Sequence, residues 1–164
     1  MGIFSAAAVL FSKDTSRGWA REDADDDTES TPQQRKGTVL VIDDDPSFLE
    51  AVRGLLDHEG YNVLASSSGP KGLDMLRYAS RDIGAVLLDY NMPRFDGATT
   101  LEFVRKLNPK VKVFGVTGVE KNLLATVYRE GVDKILTKPF QNGELVESLN
   151  TVFGGNGQAS SAAA

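Results

Sequence analysis

Cysteine is absent from this 164-residue chain, and histidine occurs once, at His58. The first absence excludes disulfides, zinc–thiolate sites and cysteine nucleophiles. The second argues against a histidine-based metal site or a catalytic triad. Long apolar runs are lacking as well. The stretch IFSAAAVLF at 3–11 falls far short of the roughly 20 residues of a membrane span. It has no basic n-region and no clear cleavage site, and Ala6 stands where a myristoylation signal wants Ser or Thr. The chain is therefore expected to work in the cytoplasm, away from membranes. No long basic run is present and the formal net charge is −5, which disfavours nucleic acid as a partner.

The two ends differ from the middle. Within residues 1–36 the stretch SKDTSRGWAREDADDDTESTPQQRK is rich in charge, Ser and Thr and poor in aliphatics, so most of this N-terminal tail is expected to be disordered. Asp25, Asp26 and Asp27 within it read as a solvated acidic run. The segment 154–164, GGNGQASSAAA, is a second tail of small residues with no core face. Residues 37–153 remain, long enough for one domain with its own core.

In that interval apolar, β-branched runs alternate with helical periodicity. TVLVI at 38–42, YNVLA at 61–65, and the runs at 83–88, 111–116 and 132–136 predict strands. Phe48, Leu49, Val52, Leu55 and Leu56 repeat at helical spacing over 46–58, with Asp45 as N-cap, Pro46 in the first turn and Gly60 as the stop. His58 reads as an ordinary residue of that helix's last turn. Further helices are expected from about 69 to 79, over 98–107, over 121–130 with Leu123, Leu124 and Val127 as its apolar positions, and over 142–153. Five alternating units predict an α/β fold, a five-stranded parallel sheet with helices on both faces. With right-handed crossovers the commonest order is the flavodoxin-like 2-1-3-4-5.

One stretch stands out: AVLLDYNMPRFDG at 85–97. An apolar run typical of a strand buried on both faces ends at Asp89, and turn residues follow. Asp96-Gly97 is turn chemistry. In open α/β sheets ligands bind beyond the carboxyl ends of the strands. The first strand delivers Asp43 and Asp44 to that edge, the third Asp89, the fourth Thr117 and the fifth Lys138. Gathered carboxylates need a counter-charge. Oxygen ligands without His or Cys suit Mg²⁺, which keeps waters and shares its shell with phosphate. The set describes a site that receives a phosphoryl group. Asp89 is the nucleophile, Asp43 and Asp44 hold the metal, and Lys138 and Thr117 stabilise charge on the phosphoryl oxygens.

VLVIDDDP at 39–46, VLLDYNMPRFDG at 86–97, VTG at 116–118 and TKPF at 137–140 together resemble the response-regulator receiver domain of two-component signalling, over about residues 36–153. The resemblance implies that Asp89 accepts a phosphoryl group from a phosphohistidine on a kinase or phosphotransfer protein. It implies Mg²⁺ held by Asp44, Asp89 and the backbone carbonyl of Asn91, with Asp43 acting largely through water. It also implies a cis peptide bond between Lys138 and Pro139.

The sequence departs from that family at two positions. Where many receivers carry an aromatic switch residue, three positions before the lysine, Ile135 stands here. Two residues after Thr117 comes Val119, which offers nothing to orient an attacking water, so self-dephosphorylation is expected to be slower than in a Val119→Glu variant. After Phe153 only small and polar residues follow, so output is expected through contact with a downstream protein, as a monomer or a phosphorylation-dependent dimer. Two alternatives use the same residues. One is a receiver-shaped scaffold that works without phosphorylation. The other is an aspartate-based phosphohydrolase, which would want an acid where Asn91 stands.

Overall fold

The computed structural model of the protein describes residues 35–154. The apolar stub at 3–11, the polar stretch to residue 34 and residues 155–164 lie outside the described residues. Strands β1 (Thr38–Ile42), β2 (Asn62–Ser66), β3 (Ile83–Asp89), β4 (Lys112–Thr117) and β5 (Lys134–Thr137) alternate with helices α1 (Pro46–His58), α2 (Gly69–Tyr78), α3 (Gly97–Leu107), α4 (Thr126–Gly131) and α5 (Asn142–Gly154). The strands form one sheet in the order β2-β1-β3-β4-β5, and every pairing is parallel. The flavodoxin-like expectation is therefore met. Among the described residues no helix is long and apolar enough to cross a membrane.

Alternation along the strands explains the unbroken apolar runs. Successive side chains of a strand point to opposite faces, so a run without polar gaps serves two cores. Leu40, Ile42, Val86, Leu88 and Val113 pack on one face with Leu73 and Leu76 of α2 and Leu101 and Val104 of α3. Val39, Val41, Ala85, Leu87, Phe114 and Val116 pack on the other with Val52 and Leu56 of α1 and Leu145 and Leu149 of α5. Truncating any of these buried leucines to alanine costs about 2–5 kcal/mol. Helix α1 begins as its sequence demands: the Asp45 carboxylate accepts the Ser47 N–H at 2.9 Å and Pro46 opens the first turn. Asp96 proves to be the N-cap of α3, accepting the Thr99 N–H at 2.7 Å.

The expected helix over 121–130 is broken in two. Lys121–Leu123 forms one 3₁₀ turn, Leu124 and Ala125 are extended, and α4 covers only Thr126–Gly131. No side chain of this segment caps α4. The hydroxyl of Tyr90, from the loop after β3, takes the Ala125 N–H at 3.0 Å. A tertiary contact thus replaces the local cap. The buried face is displaced too: Leu124 and Tyr128 enter the core, while Leu123 and Val127 are exposed. Strand β2 is shifted by one residue, because Tyr61 is fully buried ahead of it and sends its hydroxyl to Asn150 at 2.8 Å.

Candidate functional site

Register brings the site together. Ile42 pairs with Leu88, so Asp43 and Asp89 leave neighbouring strands side by side. Thr117 pairs with Thr137, so Lys138 emerges next to Thr117, and the Lys138 N–H donates to the Thr117 carbonyl at 2.7 Å. The Lys138–Pro139 peptide bond is cis. The Lys138 Nζ donates to Asp43 Oδ2 at 2.6 Å and to Asp89 Oδ1 at 3.0 Å. The second oxygen of each acid is held by backbone. Asp43 Oδ1 accepts the Asp45 N–H at 2.9 Å, and Asp89 Oδ2 accepts the Asn91 N–H at 2.7 Å.

Both acids are buried, at 1% and 5% exposure, so solvent screens them little. Burial pushes the Asp43 carboxyl above the ordinary aspartate range, against the pull of its bonds from Lys138 and from the Asp45 N–H; the charge of Asp89 adds to the push. Burial also works against the Lys138 ammonium, but its bonds to Asp43 and Asp89 outweigh this and hold it above its usual value. The proton therefore stays on the lysine. One cation serves two buried carboxylates, and the site keeps an excess of negative charge.

The remaining sequence candidates sit around this core. Asp44 is exposed beside it. Thr117 is fully buried, and its hydroxyl accepts the Val119 N–H at 3.1 Å. Asn91 is exposed at the start of the loop that follows β3. Among the described residues no three acidic or histidine side chains stand close enough to form a closed metal cage. The donor chemistry nonetheless fits a hard divalent ion: all ligands on offer are oxygens, the charge balance is negative, and an open site suits an ion that retains water.

Sequence reasoning missed Phe48. It packs at the edge of the core with the α1 stripe, as its spacing predicts, but Lys138 Nζ also lies 4.0 Å from its ring centroid, a cation–π distance. Phe140 meets the same ring edge-on at 6.0 Å. The position of Phe48 in the first turn after the Asp43–Asp45 run was the available clue, since that turn must lie beside the strand ends.

Comparison with known proteins gives the family. The profile of the response regulator receiver domain matches residues 39–150, most of the described chain. The protein belongs to the receiver domain family. Among curated relatives of this receiver, the transcription factor SKN7 of Candida albicans is 32% identical over 124 residues, 75% of this chain but 22% of its own length. The cell cycle response regulator CtrA of Brucella ovis is 29% identical over 117 residues, 70% of this chain and 49% of its own length. The chain thus spans about half or less of the curated relatives it matches. Two solved receivers align over nearly their whole length. The Clostridium thermocellum receiver domain protein is 28% identical with a TM-score of 0.67, covering 72% of this chain and 94% of that one. The TrrA response regulator of Thermotoga maritima, solved in complex with Mg²⁺-BeF, is 25% identical with a TM-score of 0.63, covering 71% of this chain and 98% of that one.

Proposed function

We propose that this receiver, spanning 37–153, is a phosphoacceptor signalling module. Asp89 takes a phosphoryl group from a phosphohistidine on a histidine kinase or phosphotransfer protein: a bond forms from an Asp89 oxygen to phosphorus as the phosphorus–nitrogen bond breaks. The observation that carries this reading is the Lys138 ammonium bonded at once to buried Asp43 and buried Asp89. That lysine is already placed to neutralise oxygens gathering at Asp89. Asp43, Asp44, Asp89 and the Asn91 carbonyl would hold Mg²⁺, which supplies charge neutralisation on the transferring group. The Asn91 N–H steadies one Asp89 oxygen and leaves the carboxylate oriented. The Thr117 hydroxyl, now turned to Val119, is the group free to swing to a phosphoryl oxygen.

The output is a changed protein-binding surface around α4, β5 and α5, acting on a downstream protein in the cytoplasm without contact to nucleic acid or membrane. TrrA's complex with Mg²⁺-BeF supports the same chemistry here. The test is incubation with acetyl phosphate and Mg²⁺, following intact mass with Asp89→Asn as control. A lasting phosphoryl adduct that the control lacks supports the reading. No adduct supports the phosphorylation-independent scaffold that Ile135 leaves standing. Rapid multiple turnover supports a phosphohydrolase.

A further inference from the structure

The aromatic that Ile135 does not supply is present nearby, from a different element. Tyr128 of α4 is fully buried, and its hydroxyl donates to the Leu88 carbonyl, the peptide group that leads into Asp89. Its ring packs on Tyr90, the residue that follows Asp89, with centroids 4.9 Å apart at 60°. Tyr90 in turn accepts the Ala125 N–H at 3.0 Å. Tyr128 and its partner therefore grip the backbone on both sides of Asp89 and the start of α4 together.

The slot for this ring exists because two side chains are missing. A Cβ on Gly115 of β4 would lie 2.8 Å from the Tyr128 hydroxyl. A Cβ on Gly97 would lie 3.0 Å from the ring edge and 2.3 Å from the Asp89 carbonyl oxygen. Gly115 is also the register partner of Ile135, so Tyr128 covers the strand position next to the one an aromatic at 135 would start from. A buried phenol needs a hydrogen-bond partner. Burial raises its pKa, with the charge of Asp89 adding, so the hydroxyl remains a donor.

The segment joining Thr117 to Tyr128 is held at few points. The Thr117 hydroxyl accepts the Val119 N–H at its beginning, and the Tyr90 hydroxyl accepts the Ala125 N–H at its end. Between them lie a single 3₁₀ turn, exposed Leu123 and Leu124, whose side chain is the anchor of this stretch in the core. A Thr117 hydroxyl drawn to a phosphoryl oxygen would free the first point. The second then decides whether the movement stops or passes into α4.

We propose that Tyr128, backed by Tyr90, is the positioning residue that transmits the state of Asp89 to the segment 119–131, in place of an aromatic at position 135. This rests on the phosphoacceptor reading above. The test uses the full chain with Mg²⁺, with and without beryllofluoride, and reads amide hydrogen exchange across 119–131. Wild type, Tyr128→Phe and Tyr90→Phe are compared, and the acetyl phosphate reaction is run on each. In wild type, exchange in this segment should change on the order of tenfold. In Tyr128→Phe most of that change should vanish, while the rate of phosphoryl incorporation stays within about twofold of wild type. A role in packing alone would leave the exchange response intact. An undiminished response in both variants overturns the inference and leaves the phosphoacceptor reading standing. A wild type that neither takes up the phosphoryl group nor responds to beryllofluoride overturns both. If Tyr128→Phe does not fold, Tyr90→Phe carries the test, because Tyr90 lies at the half-buried rim.

Discussion

Two clusters of acid and base in this protein are built from the same residue types and balanced in opposite ways. At the carboxyl ends of the strands, Asp43 and Asp89 share the single Lys138. Beyond α4, Asp133 alone has two cations, Arg105 at 2.9 Å and Lys112 at 2.7 Å, and accepts the Val113 N–H at 2.9 Å besides. Arg105 also donates to the carbonyls of Val111 and Gly131 and so ties α3 to the chain on either side of β4 and α4. Burial works against charge in both places. At Asp133 the bonds from Lys112, Val113 and Arg105 overcome it and hold the carboxyl below the usual range. At Asp43 burial wins and the carboxyl is pushed up. The Asp133 cluster is satisfied and serves the fold. The Asp43–Asp89 pair is left short of positive charge, and that shortage is what a metal ion and a phosphoryl site can use.

The strongest way to break the contrast is to remove each cluster's key cation. Lys138→Met should lower the initial rate of phosphoryl incorporation on the order of 10²-fold. A rate equal to wild type would show that the lysine is only a structural counter-ion. Arg105→Met strips hydrogen bonds from Val111, Gly131 and Asp133 and should cost about 3 kcal/mol in urea unfolding. Its phosphorylation rate, measured where the protein is folded, should not move.

A smaller effect separates the two acids by pH. The Asp133 pKa is lowered in the fold, so its stabilisation is fully present above the unfolded value of 3.8 and is lost as pH falls through the folded one. Asp133→Asn should therefore flatten the acid limb of the stability curve and cost about 1–2 kcal/mol at neutral pH. The Asp43 pKa is raised, so ionising it costs stability as pH climbs past the unfolded value. Smallest of all, Asp43→Asn without Mg²⁺ should raise stability by on the order of 1 kcal/mol. Thermal melts of the two Asn variants side by side decide the matter; a loss in both would erase the difference between the clusters.

Much of this was legible in advance, for identifiable reasons. A strand buried on two faces must be apolar throughout, so TVLVI and AVLL were visible, and the acids that ended them could not belong to the core. The Asp45–Pro46 start of α1 is local chemistry and was visible for the same reason. Nothing in the sequence singles out Arg105, because its partners lie 6, 26 and 28 positions away. Phe48 looked like core alone, because a helical stripe does not tell which end of the sheet it faces. The break before α4 was hidden because its cap comes from Tyr90, 35 positions upstream.

By itself, then, the sequence determined the element order, the sheet and the residues delivered to its edge, since periodicity and strand ends are properties of short stretches of chain. Register and packing decided the rest. Only they place one lysine between two buried acids, leave Asp44 at the rim, and seat Tyr128 in the slot of Gly97 and Gly115 with its hydroxyl on a carbonyl 40 positions away. Such contacts join distant segments, and their strength depends on burial, which no local pattern records.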